Sequence, residues 1–273
     1  MEEIAPAKIN LALHVRAREP DGYHRIETLF AFAEDGDLLR VREGDGLSLE
    51  VTGPFAGDLA GERDNLVLRA AAALRARTGT VKGAALTLHK RLPVASGLGG
   101  GSADAAAALR LLSRWWEVEA GETTLLEIAR PLGADVPACL LGRTCRGEGR
   151  GDDLIPVDGS SIAGAPLLIV NPLVPVPTGP VFADWDGVDR GPLGHDTLLG
   201  GRNDLEAPAA VIAPPIRDVL AALAEGAGVL LSRMSGSGAS CFALYGSGAA
   251  RDVARERIAA LHPGWWQLST RLR

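Results

Sequence analysis

Four glycines stand close together where a predicted strand leads into a predicted helix. The stretch ASGLGGGSADAAAAL, residues 95–109, places Gly97, Gly99, Gly100 and Gly101 directly before a run of alanines that favours a helix. A glycine held in a fixed conformation costs about 0.5–1 kcal/mol relative to alanine, so four of them indicate that something comes very close to this backbone. A glycine loop that opens a helix exposes backbone N–H groups and the positive end of the helix dipole, which suits a phosphate. The sequence therefore predicts a phosphate-binding loop.

The spacing of this loop differs from that of two familiar nucleotide loops. A Walker loop ends in Lys followed by Ser or Thr, and a dinucleotide fingerprint has glycine or alanine where this chain has Ser102. A tight strand-to-helix turn with Ser102 as a simple N-cap is the alternative, and it explains one or two of the glycines but hardly four. Phosphate binding is the favoured interpretation, and the turn stays open.

Polar and aromatic residues near the N-terminus are further candidates. In AKINLALHV, residues 7–15, alternation puts Lys8 and Asn10 on the polar face of a strand. Tyr23 and His24 follow a turn glycine, where they could stack on a base and hydrogen-bond its edge. Solvated strand-face residues and hairpin packing are the structural alternatives. Asp135, in LGADVPACL, precedes Pro137, and from the residues alone a helix N-cap is its favoured interpretation.

The elements that would position these residues mix strands and helices. Strands are predicted over 7–15, after the turn at 20–22, near 38–42 and 47–51, and over 83–93, 166–170, 241–245 and 265–273. A first helix is predicted to follow a cap at Asp64 or Asn65 and to run to about residue 76. Further helices are predicted over 102–116 and 124–132, from 135, and over 203–211, 216–224 and 249–261. A proline-rich segment from Pro156 to Pro180 predicts a boundary near residue 157, between domains 1–157 and 158–273. The fold class is α+β in two parts.

The composition excludes several classes of protein. The 273 residues are 47% hydrophobic and 23% charged, as in a globular protein, and the net charge of −6 disfavours a general nucleic-acid binder. The acidic start lacks the features of a signal peptide, and no stretch approaches about 20 uninterrupted apolar residues, so we expect no membrane span. Cys139, Cys145 and Cys241 lack the spacing of a zinc site, so we expect reduced thiols, no protein metal site and a cytoplasmic location.

Three motifs, in order, resemble those of the GHMP kinases. APAKINLALHV resembles the first motif, PVASGLGGGSADAAAAL the second, which binds ATP through a Pro-x3-Gly-Leu-Gly-type loop, and RMSGSGASCFALY the third. They extend from residue 5 to residue 245 and so involve nearly the whole chain. One departure is VASG, where relatives more often carry a further glycine before Gly-Leu-Gly.

Further stretches, DGYHRIETLF, LGADVPACL and RNDLE, resemble GHMP kinases that act on a diphosphocytidyl-linked substrate. The resemblance implies a ribosomal-S5-like N-terminal domain and a ferredoxin-like C-terminal domain, with the active site in the cleft between them. It also implies ATP, with Mg²⁺ held mainly through the ATP phosphates. The implied reaction is phosphorylation of the C2 hydroxyl of a diphosphocytidyl-linked methylerythritol, in the methylerythritol phosphate route to isoprenoid precursors.

The resemblance assigns roles to single residues. Asp135 would be the catalytic base that accepts the hydroxyl proton, and Lys8 would orient Asp135 and stabilise the developing charge. ATP would be bound by the glycine loop and by two residues outside it, giving the set Val94, Ala95, Ser96, Gly97, Leu98, Gly99, Gly100, Gly101, Ser102, Ala103, Asp104, Asn65 and Lys90. Asn65 could equally be a helix cap.

The substrate side is assigned in the same way. Asn10 would contact the substrate, Tyr23 and His24 would hold the cytosine, and Phe182 would stack on the other side of the base. For Phe182 a core position is an equal alternative. The glycines of Ser235–Ser240 would allow a close approach, or form a plain turn.

Two rival functions stay open. Another GHMP kinase, of mevalonate or homoserine type, is disfavoured by DGYH. A non-enzymatic nucleotide-binding protein is disfavoured because both Lys8 and Asp135 are present. The expected partners are ATP and a small cytidine diphosphate-linked substrate, without nucleic acid or membrane, and the oligomeric state is not predicted.

Overall fold

A computed structural model of the chain describes residues 1–61, 64–194 and 198–273. The chain forms two compact units, which are interleaved in sequence. Unit 1 comprises Met1–Ala7, Asp35–Val94 and Gly99–Gly142, and unit 2 comprises Lys8–Glu34, Ala95–Leu98 and Arg143–Arg273. The interleaving arises because the first two strands are long and run through both units. The division into 1–157 and 158–273 stays a prediction about family domains.

Ten strands and eight α-helices are seen in the described residues. The strands are β1 Glu2–Arg18, β2 His24–Arg42, β3 Leu47–Thr52, β4 Ala84–His89, β5 Cys145–Glu148, β6 Asp153–Pro156, β7 Pro166–Asn171, β8 Val229–Met234, β9 Cys241–Tyr245 and β10 Trp266–Arg271. The helices are α1 Leu66–Thr78, α2 Gly100–Trp115, α3 Glu122–Ala129, α4 Val136–Leu141, α5 Thr178–Ala183, α6 Glu206–Ile212, α7 Pro215–Ala224 and α8 Gly248–Leu261. Short 3₁₀ turns lie at Ala56–Leu59 and Arg130–Leu132.

Unit 1 packs helices on a small sheet. β3 runs parallel to β4, and β4 pairs antiparallel with the C-terminal part of β2, where Leu38 faces His89. α1 and α2 pack closely because α2 buries a run of alanines, residues 105–108.

Unit 2 contains an antiparallel sheet in the order β10-β7-β9-β8. Counted within this sheet the order is 4-1-3-2, and α7 and α8 supply the two crossovers of a β-α-β-β-α-β chain. This is the split β-α-β arrangement of a ferredoxin-like domain, as expected. Its core includes Leu168 and Val170 of β7, Val219 and Leu223 of α7, and Ile258 of α8.

Most predicted elements are confirmed, and the departures have local causes. The strand predicted at 38–42 is the second half of β2, because Gly36 continues the strand instead of turning it. A Cβ at Gly36 would lie 1.9 Å from the carbonyl oxygen of Ala5, so this glycine permits close strand contact. Four short elements, β5, β6, α5 and β8, were not predicted. Among the helices of the described residues, none is both long and apolar enough to cross a membrane.

Candidate active site

The glycine at position 97 is required by packing inside unit 2. Gly97 has a left-handed φ of +80°, which L side chains rarely adopt. A Cβ there would lie 2.4 Å from the carbonyl oxygen of Ser235 and 2.9 Å from that of Gly238. The backbones of the two glycine-rich segments therefore touch, which explains Gly97 without any ligand.

Hydrogen bonds also fix the first half of the glycine loop, Ala95–Leu98, within unit 2. The Ser240 amide donates to the Ser96 carbonyl at 3.0 Å, and the Lys8 amide donates to the Leu98 carbonyl at 2.9 Å. The first half of the loop is thus hydrogen-bonded both to strand β1 and to the segment Ser235–Ser240. For Ser235–Ser240 this favours the close-approach interpretation over a plain turn.

The second half of the loop opens helix α2 in unit 1. Gly99 is the N-cap residue, with a left-handed φ of +63°, and α2 begins at Gly100. The alternative that made Ser102 the N-cap is therefore wrong. A Cβ at Gly100 would lie 3.0 Å from the Lys90 ammonium nitrogen, which is a tight contact.

Gly101 differs from the other three glycines. It is exposed, it lies outside the left-handed region, and among the described residues an added Cβ would meet only Leu66 Cδ1, at an ordinary 3.5 Å. Glycine inside a helix costs about 0.8–1.0 kcal/mol relative to alanine, so the fold alone does not favour it here. Close approach of a ligand to the first-turn amides of α2 would account for it, and an anionic group suits that position.

The charged groups of Lys90 and Asp104, both predicted ATP ligands, are buried beneath this turn. The Lys90 ammonium donates to Asp104 Oδ2 at 2.8 Å and to Asp37. Asp37 Oδ1 in turn accepts the amides of Arg91 and Leu92 at 2.5 and 2.9 Å. Because these side chains are at most 3% exposed, an indirect role is favoured for them. Their direct contact with nucleotide stays a prediction.

Asn65 has the structural role that the sequence left open. Its side-chain oxygen accepts the Val67 amide at 2.9 Å and so caps α1. A second role near the nucleotide stays a prediction. The adjoining loop residues differ in exposure: Val94 is half-buried, whereas Ala95 is exposed with a φ of +50°.

Lys8 and Asn10 form a buried polar pair in unit 2. The Lys8 ammonium donates to Asn10 Oδ1 at 2.9 Å, and Asn10 Nδ2 donates to Thr28 Oγ1 at 2.7 Å. The Thr28 hydroxyl in turn donates a hydrogen bond to the Ala12 carbonyl, also at 2.7 Å. Lys8 is 3% exposed, so the alternative of a solvated lysine on the strand face is wrong. Thr28 was missed, although the hairpin pairing of β1 with β2 could have indicated it.

Asp135 lies in unit 1, immediately before α4. It occupies the N-cap position and is half-buried, yet its side chain makes no capping hydrogen bond to the described amides of α4. Its backbone carbonyl accepts the Cys139 amide at 3.0 Å. The capping interpretation is therefore wrong.

An aromatic cluster in unit 2 joins His24 to Phe182. Their ring centroids are 5.1 Å apart, and Trp185, which the sequence interpretation missed, meets His24 edge-on at 5.8 Å. Arg18 Nε donates to His24 Nε2 at 3.3 Å, and the same guanidinium donates to the Ala183 carbonyl at 2.7 Å. Burial, together with the Arg18 charge, lowers the pKa of His24. The imidazole is thus held as a neutral ring.

Tyr23 points to different neighbours. Its side chain is largely exposed, and the Arg150 guanidinium stacks over its ring with 3.8 Å between the guanidinium carbon and the ring centroid. Arg150 also forms an ion pair of 2.5 Å with Asp21, which lies in the same turn as Tyr23. Buried hairpin packing does not describe Tyr23, because its side chain is largely exposed and its ring stacks with Arg150.

The predicted residues divide between the two units. Unit 2 holds Lys8, Asn10, Tyr23, His24, Ala95, Ser96, Gly97, Leu98 and Phe182. Unit 1 holds Asn65, Lys90, Val94, Gly99, Gly100, Gly101, Ser102, Ala103, Asp104 and Asp135. Each unit thus contains one predicted catalytic residue and part of the glycine loop.

Family models match both parts of the chain. The model described as "GHMP kinases N terminal domain" matches residues 65–143, and that described as "GHMP kinases C terminal" matches residues 189–263. With the ferredoxin-like sheet and the glycine loop, they define the two-domain fold of an ATP-dependent GHMP kinase.

Similar proteins narrow this class. A 4-diphosphocytidyl-2-C-methyl-D-erythritol kinase of Rhizorhabdus wittichii is 56% identical over 277 residues, covering 99% of this chain and 94% of the relative. A crystal structure of 4-(cytidine 5'-diphospho)-2C-methyl-D-erythritol kinase matches with a TM-score of 0.85 at 34% identity, covering 100% and 99% of the two chains. A homoserine kinase from Cytophaga hutchinsonii matches with a TM-score of 0.67 at 20% identity, covering 97% and 95%, which shows a common fold alone. The chain belongs to the 4-diphosphocytidyl-2-C-methyl-D-erythritol kinase family.

Proposed function

We propose that this chain transfers the γ-phosphoryl group of ATP to the C2 hydroxyl of 4-diphosphocytidyl-2-C-methyl-D-erythritol. The observation that supports it most is the aromatic cluster of His24, Phe182 and Trp185, which lies in the same unit as the buried Lys8–Asn10 pair. An aromatic site for a base is what a cytidyl substrate needs and what a small alcohol such as homoserine does not. The 2-phosphate product belongs to the methylerythritol phosphate route to isoprenoid precursors.

The nucleotide end of the reaction is assigned to the start of α2. The first-turn amides, from Gly100 to Ser102, would donate to phosphate oxygens, and the exposed Gly101 would let them come close. The Ser102 hydroxyl is half-exposed and offers one further donor. These contacts would stabilise the negative charge on the phosphoryl oxygens during the transfer.

The transfer forms a bond between the C2 oxygen and the γ-phosphorus and breaks the bond from that phosphorus to the β–γ bridging oxygen, so ADP leaves. Asp135 would accept the hydroxyl proton as the oxygen attacks. Lys8, a buried ammonium held by Asn10, would stabilise the negative charge that develops in this step. The two side chains thus have separate roles, one for a proton and one for charge.

Mg²⁺ would accompany ATP and shield the phosphate charges during transfer. This ion takes oxygen ligands and keeps several waters, and it is commonly bound through substrate phosphates. In the described parts of the chain, His, Cys, Asp and Glu residues form no group of three that could hold a metal ion.

The remaining elements of the proposal concern location and domains. All three cysteines are free and buried, as suits a reducing compartment, and we place the enzyme in the cytoplasm. Burial raises the pKa of Cys145 to about 11 and that of Cys241 well above its usual value, so neither is an activated thiol. The family domains are proposed to meet near residue 157.

The experiment compares acceptors. The purified full chain is incubated with ATP and Mg²⁺, and with the cytidyl substrate, mevalonate or homoserine, while ADP release is followed and products are identified by phosphorus NMR. We expect ADP only with the cytidyl substrate, together with one new phosphate monoester. ADP formed with mevalonate or homoserine instead would replace this function by the rival kinase, and nucleotide binding without turnover on any acceptor would support a sensor.

A further inference from the structure

A buried cluster of three charged side chains ties together the segments around the nucleotide loop. Lys90, just after β4, lies between Asp37 of β2 and Asp104 of α2. Asp37 also accepts the amides of Arg91 and Leu92, the residues that lead into the loop. The cluster therefore fixes the end of β4 and the first turns of α2 relative to each other.

The buried cluster carries a net negative charge when both of its carboxylates are ionised. Two carboxylates share one ammonium, and none of the three side chains is more than 3% exposed. Asp104 Oδ1 is buried and has no hydrogen-bond partner among the described residues. An unpaired buried carboxylate oxygen is costly, and protonation of the carboxyl group lowers that cost because it removes the buried charge.

The charged groups facing Asp104 are Lys90, from the end of β4, and Asp37, from β2. Burial raises the pKa of Asp104 to about 7; the Lys90 charge opposes this rise and the Asp37 charge adds to it. For Lys90, burial acts downward, but the two carboxylates hold its pKa above the usual value, so it stays an ammonium. Asp104 can therefore gain or lose a proton near neutral pH.

This cluster lies directly against the loop backbone. A Cβ at Gly100 would be 3.0 Å from the Lys90 ammonium nitrogen and 3.7 Å from Asp37 Oδ2. A polyphosphate at the first turn of α2 would add negative charge near two carboxylates that already repel each other. Like charge favours the protonated form of a carboxyl group.

We propose that Asp104 is a positioning residue of the nucleotide loop, acting through Lys90, and that it takes up a proton from solvent when a polyphosphate binds at the first turn of α2. The inference rests on the proposed function, because it needs nucleotide at this turn. This role needs no direct contact between Asp104 and the nucleotide. Its charge state sets how well the loop accepts an anion.

Asp104→Asn is the matched test, because asparagine keeps the shape and cannot ionise. The full chain is titrated calorimetrically with a non-hydrolysable ATP analogue at about pH 8, one unit above the Asp104 value, in two buffers of different ionisation enthalpy. The wild type should take up a proton fraction that Asp104→Asn lacks. The same uptake in both proteins would overturn the inference.

A second readout does not depend on any variant. Carbon NMR of the Asp104 carboxyl in the wild type should show its titration midpoint moving to higher pH when the analogue is added. Between about pH 6 and about pH 8 the apparent Kd for the analogue should also rise severalfold more in the wild type than in Asp104→Asn. The comparison with Asp104→Asn removes the contribution of the nucleotide's own titration.

Asp58→Asn, which removes an exposed carboxylate of unit 1, is the control and should behave as the wild type. A carboxyl midpoint that does not move would overturn the inference while ATP binding and the proposed function stand. Absence of nucleotide binding by the wild type would overturn both.

Discussion

The Lys8 ammonium donates a hydrogen bond of 2.9 Å to the side-chain oxygen of Asn10, two residues further along the same strand face. The amide orientation of Asn10 is set by its other end, because Nδ2 donates to Thr28 Oγ1. Thr28 is in turn fixed by the Ala12 carbonyl. Asn10 therefore acts first as a positioning residue for Lys8, and any substrate contact by Asn10 stays a prediction.

Thr28→Val should separate this positioning from folding. Valine has nearly the same shape but leaves Asn10 Nδ2 without its acceptor, and an unsatisfied buried donor costs about 1–3 kcal/mol. We expect kcat to fall severalfold, because Lys8 is less well held, while KM for ATP hardly changes. Thr52→Val, which removes hydroxyl contacts of 3.4 Å to the Leu88 carbonyl and 3.2 Å to His89 Nδ1, is the control. Equal kcat in the two variants would contradict the positioning of Lys8 by Thr28 through Asn10.

Asp135→Asn should remove turnover and leave the fold. Because the Asp135 side chain makes no capping bond in α4, asparagine costs the helix little. Turnover should collapse while an ATP analogue still binds and the melting temperature stays near that of the wild type. Asn65→Ala is the structural contrast, since it deletes a real cap and should cost about 1 kcal/mol of stability. Near-normal turnover of Asp135→Asn would reject the base assignment.

Gly101→Val should weaken nucleotide binding without unfolding the protein. A Cβ at Gly101, next to the first-turn amides, would make only an ordinary contact with Leu66 Cδ1, whereas a Cβ at Gly97 collides with the Ser235 carbonyl. We therefore expect Gly101→Val to lose ATP-analogue affinity by calorimetry with little change in denaturation midpoint, and Gly97→Val to lose stability first. Unchanged affinity of Gly101→Val would mean that the turn is the whole reason for these glycines.

Sequence patterns predicted the elements well where periodicity was strong. The alternation in β1, the Asn65 cap of α1 and the alanine helix α2 follow from local rules, and the structure agrees. β5 and α5 were missed because they have only four and six residues and contain glycine or proline. Such elements depend on tertiary contacts more than on propensity.

The candidate site was predicted by residue type more than by environment. Lysine at position 8 was expected on a polar strand face, but that this face is buried depends on contacts far away in sequence, such as the Asn10 amide with Ser235. Likewise Lys90 and Asp104 could be named from the motif, whereas their pairing with Asp37 required the strand register. Trp185 gave no local signal for its contact with His24.

The His24 ring predicts a pH effect with a defined sign. Burial and Arg18 lower its pKa below the usual 6.5, so the unfolded chain binds more protons than the folded one between these two values. Stability from this group is present above pH 6.5 and is lost as pH falls through the folded pKa. Arg18→Gln removes the charge and should raise the pKa of His24, as measured by proton NMR titration. No upward change would contradict the Arg18–His24 interaction.

Substitutions of Tyr23 and Phe182 test whether the aromatic side chains hold a base. Stacking of a base on an aromatic ring is worth about 1–3 kcal/mol, so Tyr23→Ala and Phe182→Ala should each lower kcat/KM for the cytidyl substrate by about ten- to a hundredfold. ATP affinity should stay constant. His24→Ala should instead reduce the preference for cytosine over a uridyl analogue, because the edge contact is lost. Trp266→Ala, at a half-buried position of β10, is the control for general loss of an aromatic ring. If the two stacking variants change cytidyl turnover no more than Trp266→Ala, the cluster only packs, and the substrate becomes an unspecified alcohol.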